Sequence, residues 1–220
     1  WFGWYGFNPG STGSMHDRAT ANQAGLVAVN TTLSPCAAGL VVFLLRAKLL
    51  APRKLDVGGF CNGILAGLVS ITAGCASVRP EEAVLVGLLG GLVYQGASML
   101  VARLKVDDVV DAFAVHGAAG LWGIVALSFF GSPAHGVGGN GVFYGGDQLG
   151  TQLFAGALII AWVGGLFALA LLPLRRLGAL RLDDRVQASG ADAAKHSPPK
   201  AYEAPKAYAE GPAQGAKAEA

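Results

Sequence analysis

The sequence predicts an all-α fold: a polytopic bundle of helices that crosses a lipid bilayer several times. Three observations lead there. Of 220 residues, 53% are hydrophobic and only 14% are charged, where soluble domains carry about 25% charge. The apolar residues gather in five windows, 24–45, 57–78, 83–102, 109–130 and 149–174, each close to the roughly 20 residues that a spanning helix needs. The 33 glycines suit helix interfaces in lipid, where small residues let backbones approach closely. These windows are about twice the length of a membrane strand and do not alternate, which excludes a β-barrel reading.

Before the first window, residues 1–8 (WFGWYGFN) read as the end of a truncated transmembrane helix, without the charged-then-apolar order of a signal peptide. Residues 9–177 then hold the five spans. The first carries Pro35 at mid-length, which deletes a backbone hydrogen bond and predicts a kink. In the second, Gly59, Gly63, Gly67, Ser70 and Gly74 draw a stripe of small residues down one helix face, against which another helix should pack. Gly87 and Gly91 repeat the device in the third.

The fourth span opens on Asp107, Asp108 and Asp111, at the positions where carboxylates cap free N–H groups and complement the helix dipole. Asp108 and Asp111 have capping-box spacing, and Asp111 falls just inside the apolar window. The 130–149 connection is rich in glycine and lacks Lys and Arg, so it reads as a flexible or tightly turning loop and a poor place for chemistry. After the fifth span, residues 178–220 turn to Ala, Pro, Lys and Glu, which predicts a largely disordered tail.

Orientation follows from the basic residues. Arg46, Lys48, Arg53 and Lys54 follow the first span, Arg103 and Lys105 the third, and Arg175, Arg176, Arg181 and Arg185 the fifth. The alternate loops hold only Arg18 and Arg79, so the C-terminus is expected in the cytoplasm.

Composition also narrows function. Sixteen Lys+Arg against fourteen Asp+Glu give a net charge of +2, with no concentrated basic surface for a nucleic acid. Cys36, Cys61 and Cys75 lie inside apolar runs and read as small buried hydrophobes, not as disulfide partners. There is no zinc spacing, nucleophile–base pair or cofactor loop, so neither an enzyme nor a bound metal or cofactor is expected.

One residue stands against its surroundings. His116 is the only ionisable side chain deep in any window. Polar groups at such depth are costly and face a cavity, a pathway or a partner. Its helical neighbours Ala119, Gly120 and Gly123 leave one face nearly bare, which makes room for a small solute or for close helix contact. Desolvation disfavours the imidazolium, so a neutral ring with one donor and one acceptor nitrogen is expected. At the other end of the spans, Trp4, Tyr5, Phe7, Asn8 and Ser11 form either an interfacial belt or a site where ring faces attract a cation.

Four segments together resemble the C-terminal half of ammonium transporters of the Amt/MEP/Rh type, Amt branch. They are 3–11 (GWYGFNPGS), 67–75 (GLVSITAGC), 105–123 (KVDDVVDAFAVHGAAGLWG), and a tail pattern of Gly190 and Asp192 with His196 and Ala201-Tyr202. The chain departs from the family pattern at Val109, where Pro is usual, at Ala119, where Cys is common, and at Ser197, where Gly is preferred.

The resemblance implies a homotrimer in which eleven helices, ten of them in two inverted repeats, surround a narrow pore in each subunit. This chain would supply half of those repeat helices plus the last helix, in a multi-pass protein of the plasma membrane. By the same resemblance, Phe7 helps close the outer mouth, Trp4 lines the wall beside it, and Ser11 recruits ammonium. His116 matches the second histidine of the pore's pair, and Asp108 and Asp111 are architectural residues at the inner base. Ammonium would lose its proton and cross as ammonia, with methylammonium as an analogue. The alternatives are an ammonium sensor or transceptor and an Rh-like ammonia gas channel.

Overall fold

The computed structural model describes residues 1–50, 56–135 and 140–190. Among the described residues the elements are helical: α1 (Phe2–Phe7), α2 (Arg18–Leu45), α3 (Val57–Thr72), α4 (Pro80–Arg103), α5 (Ala119–Phe130), α6 (Gln148–Arg176) and α7 (Asp184–Ser189). Short 3-10 turns occupy Pro9–Thr12, Pro133–His135 and Val142–Tyr144, and π-helical segments occupy Arg46–Leu50 and Phe113–Ala118. The segments Arg18–Lys48, Pro80–Arg103, Phe113–Phe130 and Gln148–Arg176 are long and apolar enough to cross a membrane. The fold is the all-α membrane bundle expected, and the structure divides into residues 1–161 and 162–220.

Local chemistry sets the helix ends. Asp17 accepts from the Thr20 N–H at 2.9 Å and starts α2 ahead of its apolar window. Asp56 does the same for α3 through the Gly59 N–H at 2.8 Å. Glu82 accepts from the Arg79 N–H at 2.8 Å, with Pro80 in the first turn of α4 where its missing N–H costs nothing. The far end of α4 closes as a Schellman turn: Val106 N–H reaches Val101 O at 3.2 Å and Lys105 N–H reaches Ala102 O at 3.1 Å. Lys105 takes the left-handed position, φ 55°, that glycine usually fills.

Within residues 1–161 the packing is that of a membrane protein: polar groups are buried beside Leu68, Ile71 and Tyr94, while many large apolar side chains face outward. Asn30, Thr31, Ser34 and Ser70 are buried, whereas Leu40, Leu44, Leu85, Leu89 and Leu92 are exposed. A water-soluble domain would reverse this. Helix α2 packs on α3 and α4, and α3 on α4 and α5. The glycine stripe meets α2 as expected. A Cβ on Gly67 would lie 2.6 Å from both Pro35 Cα and Ala38 Cβ. One on Gly87 would strike the backbone of Ser34. Helix α2 runs on through Pro35, and the Ser34 hydroxyl donates to Gly67 O at 2.8 Å across the same contact.

The cysteine expectation holds only for Cys75; Cys36 and Cys61 are exposed. An apolar run in lipid does not tell which of its faces points inward. The described parts of the glycine-rich loop turn tightly. Gly141 N–H donates to Gly131 O at 2.8 Å and Ser132 N–H to Ser77 O at 2.7 Å, while the Tyr144 hydroxyl donates to the buried Glu82.

In the second part, helix α6 ends with Leu177 N–H donating to Pro173 O at 3.0 Å. There α7 begins at Asp183, whose carboxylate accepts from Arg185 N–H at 2.9 Å. Residues 184–189 of the expected tail are therefore helical; residues 191–220 lie outside the described residues.

Candidate functional site

Helix α2 is 28 residues long, or about 40 Å at 1.5 Å per residue, and it separates two polar ends. At the Ser11 end, α1 is tied down by three side-chain bonds. Trp4 Nε1 donates to Thr72 Oγ1 at 3.1 Å, Asn8 Nδ2 to Thr31 Oγ1 at 3.1 Å, and Tyr5 and Thr32 share a 2.7 Å hydroxyl contact. The Ser11 hydroxyl donates to Phe7 O at 2.6 Å. Asn8, Ser11, Thr12, Gln23 and Thr72 line a cavity of about 330 Å³. Ser11 thus lines the cavity, while Trp4 does not line it and is bonded to one of its lining residues, Thr72. The Phe7 ring is 60% exposed.

At the opposite end, Asp108 and Asp111 part company. Asp108 caps the helix: its carboxylate accepts from Ala112 N–H at 2.7 Å and Phe113 N–H at 2.9 Å. Asp111 does not complete a capping box. It sits at φ 58°, a left-handed conformation that Asp tolerates better than most residues. Its carboxylate accepts from Tyr94 Oη at 2.8 Å and Ser98 Oγ at 3.0 Å.

Between the two ends lies His116, in the π-helical segment Phe113–Ala118. Such segments shift hydrogen bonding from i→i+4 to i→i+5 and occur often at functional sites. The rewound turn changes which face each residue presents. Ala114, Val115 and Ala119 are buried with Val42, Ala66 and Tyr94. Gly123 faces α3, where a Cβ would come 2.6 Å from Ser70 O.

Ala119 and Gly123 are therefore taken up by close helix contact, one of the two uses expected of that face, while the nearest atom to a Cβ on Gly120 is Val69 Cγ1 at 3.6 Å. The ring itself is turned outward: His116 is exposed and bonds to none of the described residues. A Cβ on Gly117 would lie 2.9 Å from the Phe113 ring, so that ring covers the backbone next to His116.

Two participants escaped the sequence reading. Arg46 read as one of several basic residues flanking a span, and nothing in the sequence singled out Tyr94 within the window 83–102. Arg46 Nε donates to Gln95 Oε1 at 2.6 Å, Nη1 to Asp56 Oδ2 at 2.5 Å, and Nη2 to Tyr94 Oη at 3.1 Å, with Asp111 Oδ2 at 3.8 Å. The Gly59 N–H, with the Arg46 guanidinium beside it, holds the Asp56 carboxyl below its ordinary range.

Comparison with known proteins places this architecture. The model of the Ammonium Transporter Family matches residues 1–202. Ammonium transporter 1 member 2 of Oryza sativa subsp. japonica is 37% identical over 215 residues, covering 89% of this chain and 42% of that protein. Ammonium transporter Amt2 of Archaeoglobus fulgidus is 35% identical over 205 residues, covering 90% and 42%. The crystal structure of Saccharomyces cerevisiae Mep2 superposes with a TM-score of 0.75 at 27% identity, over 84% of this chain and 42% of that one. A structure titled Sensor Amt Protein gives 0.76 at 31% identity, over 89% and 46%. The chain spans less than half the length of the curated relatives it matches.

Proposed function

The chain belongs to the ammonium transporter family, and from that premise we propose that it forms part of a pathway for ammonium across a membrane, with His116 on the wall of the path. The observation that carries this reading is the outward-turned imidazole: it is exposed and without a partner among the described residues, on a π-helical segment where Ala114 and Val115 are buried.

In the proposed assembly the exposed His116 face is covered by further helices of the same protein, and the whole is a homotrimer in the plasma membrane with its C-terminus in the cytoplasm. Ammonium enters at the Ser11 end, where the Ser11 hydroxyl accepts a hydrogen bond from the ion and the rings of Trp4 and Phe7 offer their faces to its charge. Moving the intact ion into a dry path costs far more than moving ammonia. The ion therefore gives its proton to water at the mouth, ammonia passes the His116 ring, which donates or accepts one hydrogen bond as the solute goes by, and a proton is taken up again from water on the far side. Asp108 and Asp111 hold the other end of that helix in place.

The test is the uptake of labelled methylammonium by the full-length protein in proteoliposomes. Uptake that saturates and exceeds that of empty vesicles supports the reading; none from inserted protein contradicts it. A second reading, an ammonium sensor, is favoured by the likeness to the structure titled Sensor Amt Protein. It predicts ligand binding without sustained flux in the same preparation.

A further inference from the structure

Arg46 stands where four structural elements meet. It lies at the start of the π-helical turn Arg46–Leu50 that ends α2. Its guanidinium reaches Asp56 at the start of α3, Gln95 and Tyr94 on α4, and the vicinity of Asp111 ahead of α5. The side chain is only 17% exposed. Gly59 clears the space beside it, since a Cβ there would fall 2.5 Å from Nη1. A planar fork can serve three acceptors at fixed angles in this way; an ammonium cannot.

A chain of contacts runs from this guanidinium to His116. Tyr94 Oη accepts from Arg46 Nη2 at 3.1 Å and passes its own proton toward Asp111 Oδ2 at 2.8 Å. Asp111, fixed by that bond and by Ser98, holds its backbone at φ 58°. From there its carbonyl accepts the Val115 N–H at 2.9 Å, the bond that leads into the segment where Val115 is buried and His116 is turned out. Without the anchor, nothing holds Asp111 in the left-handed region against ordinary helical backbone, and the turn can relax and the segment rewind.

We infer that Arg46 is a positioning residue for His116, acting through the Tyr94 hydroxyl and the Asp111 carboxylate. The inference rests on the reading of His116 as part of the ammonium path. It predicts an effect on the rate of passage and not on capture, because the Ser11 end lies at the other end of α2.

The experiment measures saturating flux and half-saturating ammonium for the full-length protein in proteoliposomes, normalised to inserted protein, for Tyr94→Phe, Arg46→Lys, Arg46→Met, His116→Ala and the double variant Tyr94→Phe/His116→Ala. Tyr94→Phe keeps the buried ring and removes only the hydroxyl, so it tests the link even where Arg46→Met fails to insert. Its maximal flux should change by about 10- to 150-fold, the value in rate of one hydrogen bond to a charged group, at unchanged half-saturation. Arg46→Lys should fall between Arg46→Met and the unaltered protein. The double variant should match His116→Ala alone, because the two act as one unit. Unaltered flux in Tyr94→Phe, or a double variant that shows the product of the two single effects, overturns the inference while the His116 reading stands. A silent His116→Ala overturns both.

Discussion

The hydroxyl of Tyr94 donates to Asp111 Oδ2 at 2.8 Å, joining the buried middle of α4 to a residue held in left-handed backbone. Asp111 therefore has two jobs: its carboxylate accepts two hydroxyls, and its side-chain type tolerates φ 58°. Asp111→Asn keeps the conformation and one acceptor oxygen and should cost about 1 kcal/mol. Asp111→Ala loses both and should cost about 2–4 kcal/mol. Thermal unfolding in detergent that ranks the two equally contradicts this account of the residue.

Gly67 and Gly120 offer a matched pair. A Cβ at Gly67 would lie 2.6 Å from the Pro35 and Ala38 atoms of α2, whereas at Gly120 the nearest atom is Val69 Cγ1 at 3.6 Å. Gly67→Ala should therefore push two helices apart and destabilise by about 1–3 kcal/mol. Gly120→Ala should be neutral or gain up to about 1 kcal/mol from helix propensity. Thermal melts of the two variants side by side check the contrast.

Lys105 closes α4 in a glycine's conformation, φ 55°. Lys105→Gly should raise stability by up to about 1 kcal/mol, the part of the left-handed cost that the greater freedom of an unfolded glycine does not offset. Lys105→Val, β-branched at positive φ, should lower it. The opposite order in melting temperature would sink the Schellman assignment.

The Asp56 carboxyl is held below the usual carboxylate range, first by the Gly59 N–H and then by Arg46. A lowered folded-state value means that its contribution is complete above the unfolded value of about 3.9 and is lost as pH falls through the folded one. Stability measured from pH 7 to pH 3 should decline at the acid end, and Asp56→Asn should be less stable at pH 7 and flatter below pH 5. An unchanged acid slope in the variant contradicts the linkage.

How much of this was written in the sequence varies by residue. The Gly59, Gly63 and Gly67 stripe was legible, because close packing in lipid needs small residues at that spacing whatever the partner. The partner was not: nothing in Val42 or Ala38 marks them as the surface those glycines meet. Asp108 as a cap was legible from its place ahead of an apolar run. The role of Asp111 was hidden, because the acceptor geometry comes from Tyr94 and Ser98, a helix away in space. Arg46 was masked by its neighbours, since basic residues at span ends are ordinary anchors. The π-helical turn around His116 left no trace, for a shift of one residue in backbone bonding needs no particular composition. That is why the residues alone left open whether the face at Ala119 and Gly123 borders a solute or a helix; it is a helix contact.

His116 lining the path is the claim on which the functional account turns. The direct measurement is methylammonium flux through the full-length protein and its His116→Ala variant, compared at equal inserted amounts in sealed vesicles. The account predicts a flux altered at least tenfold or abolished in the variant, with inserted protein and melting temperature unchanged. Equal flux in the two would contradict it.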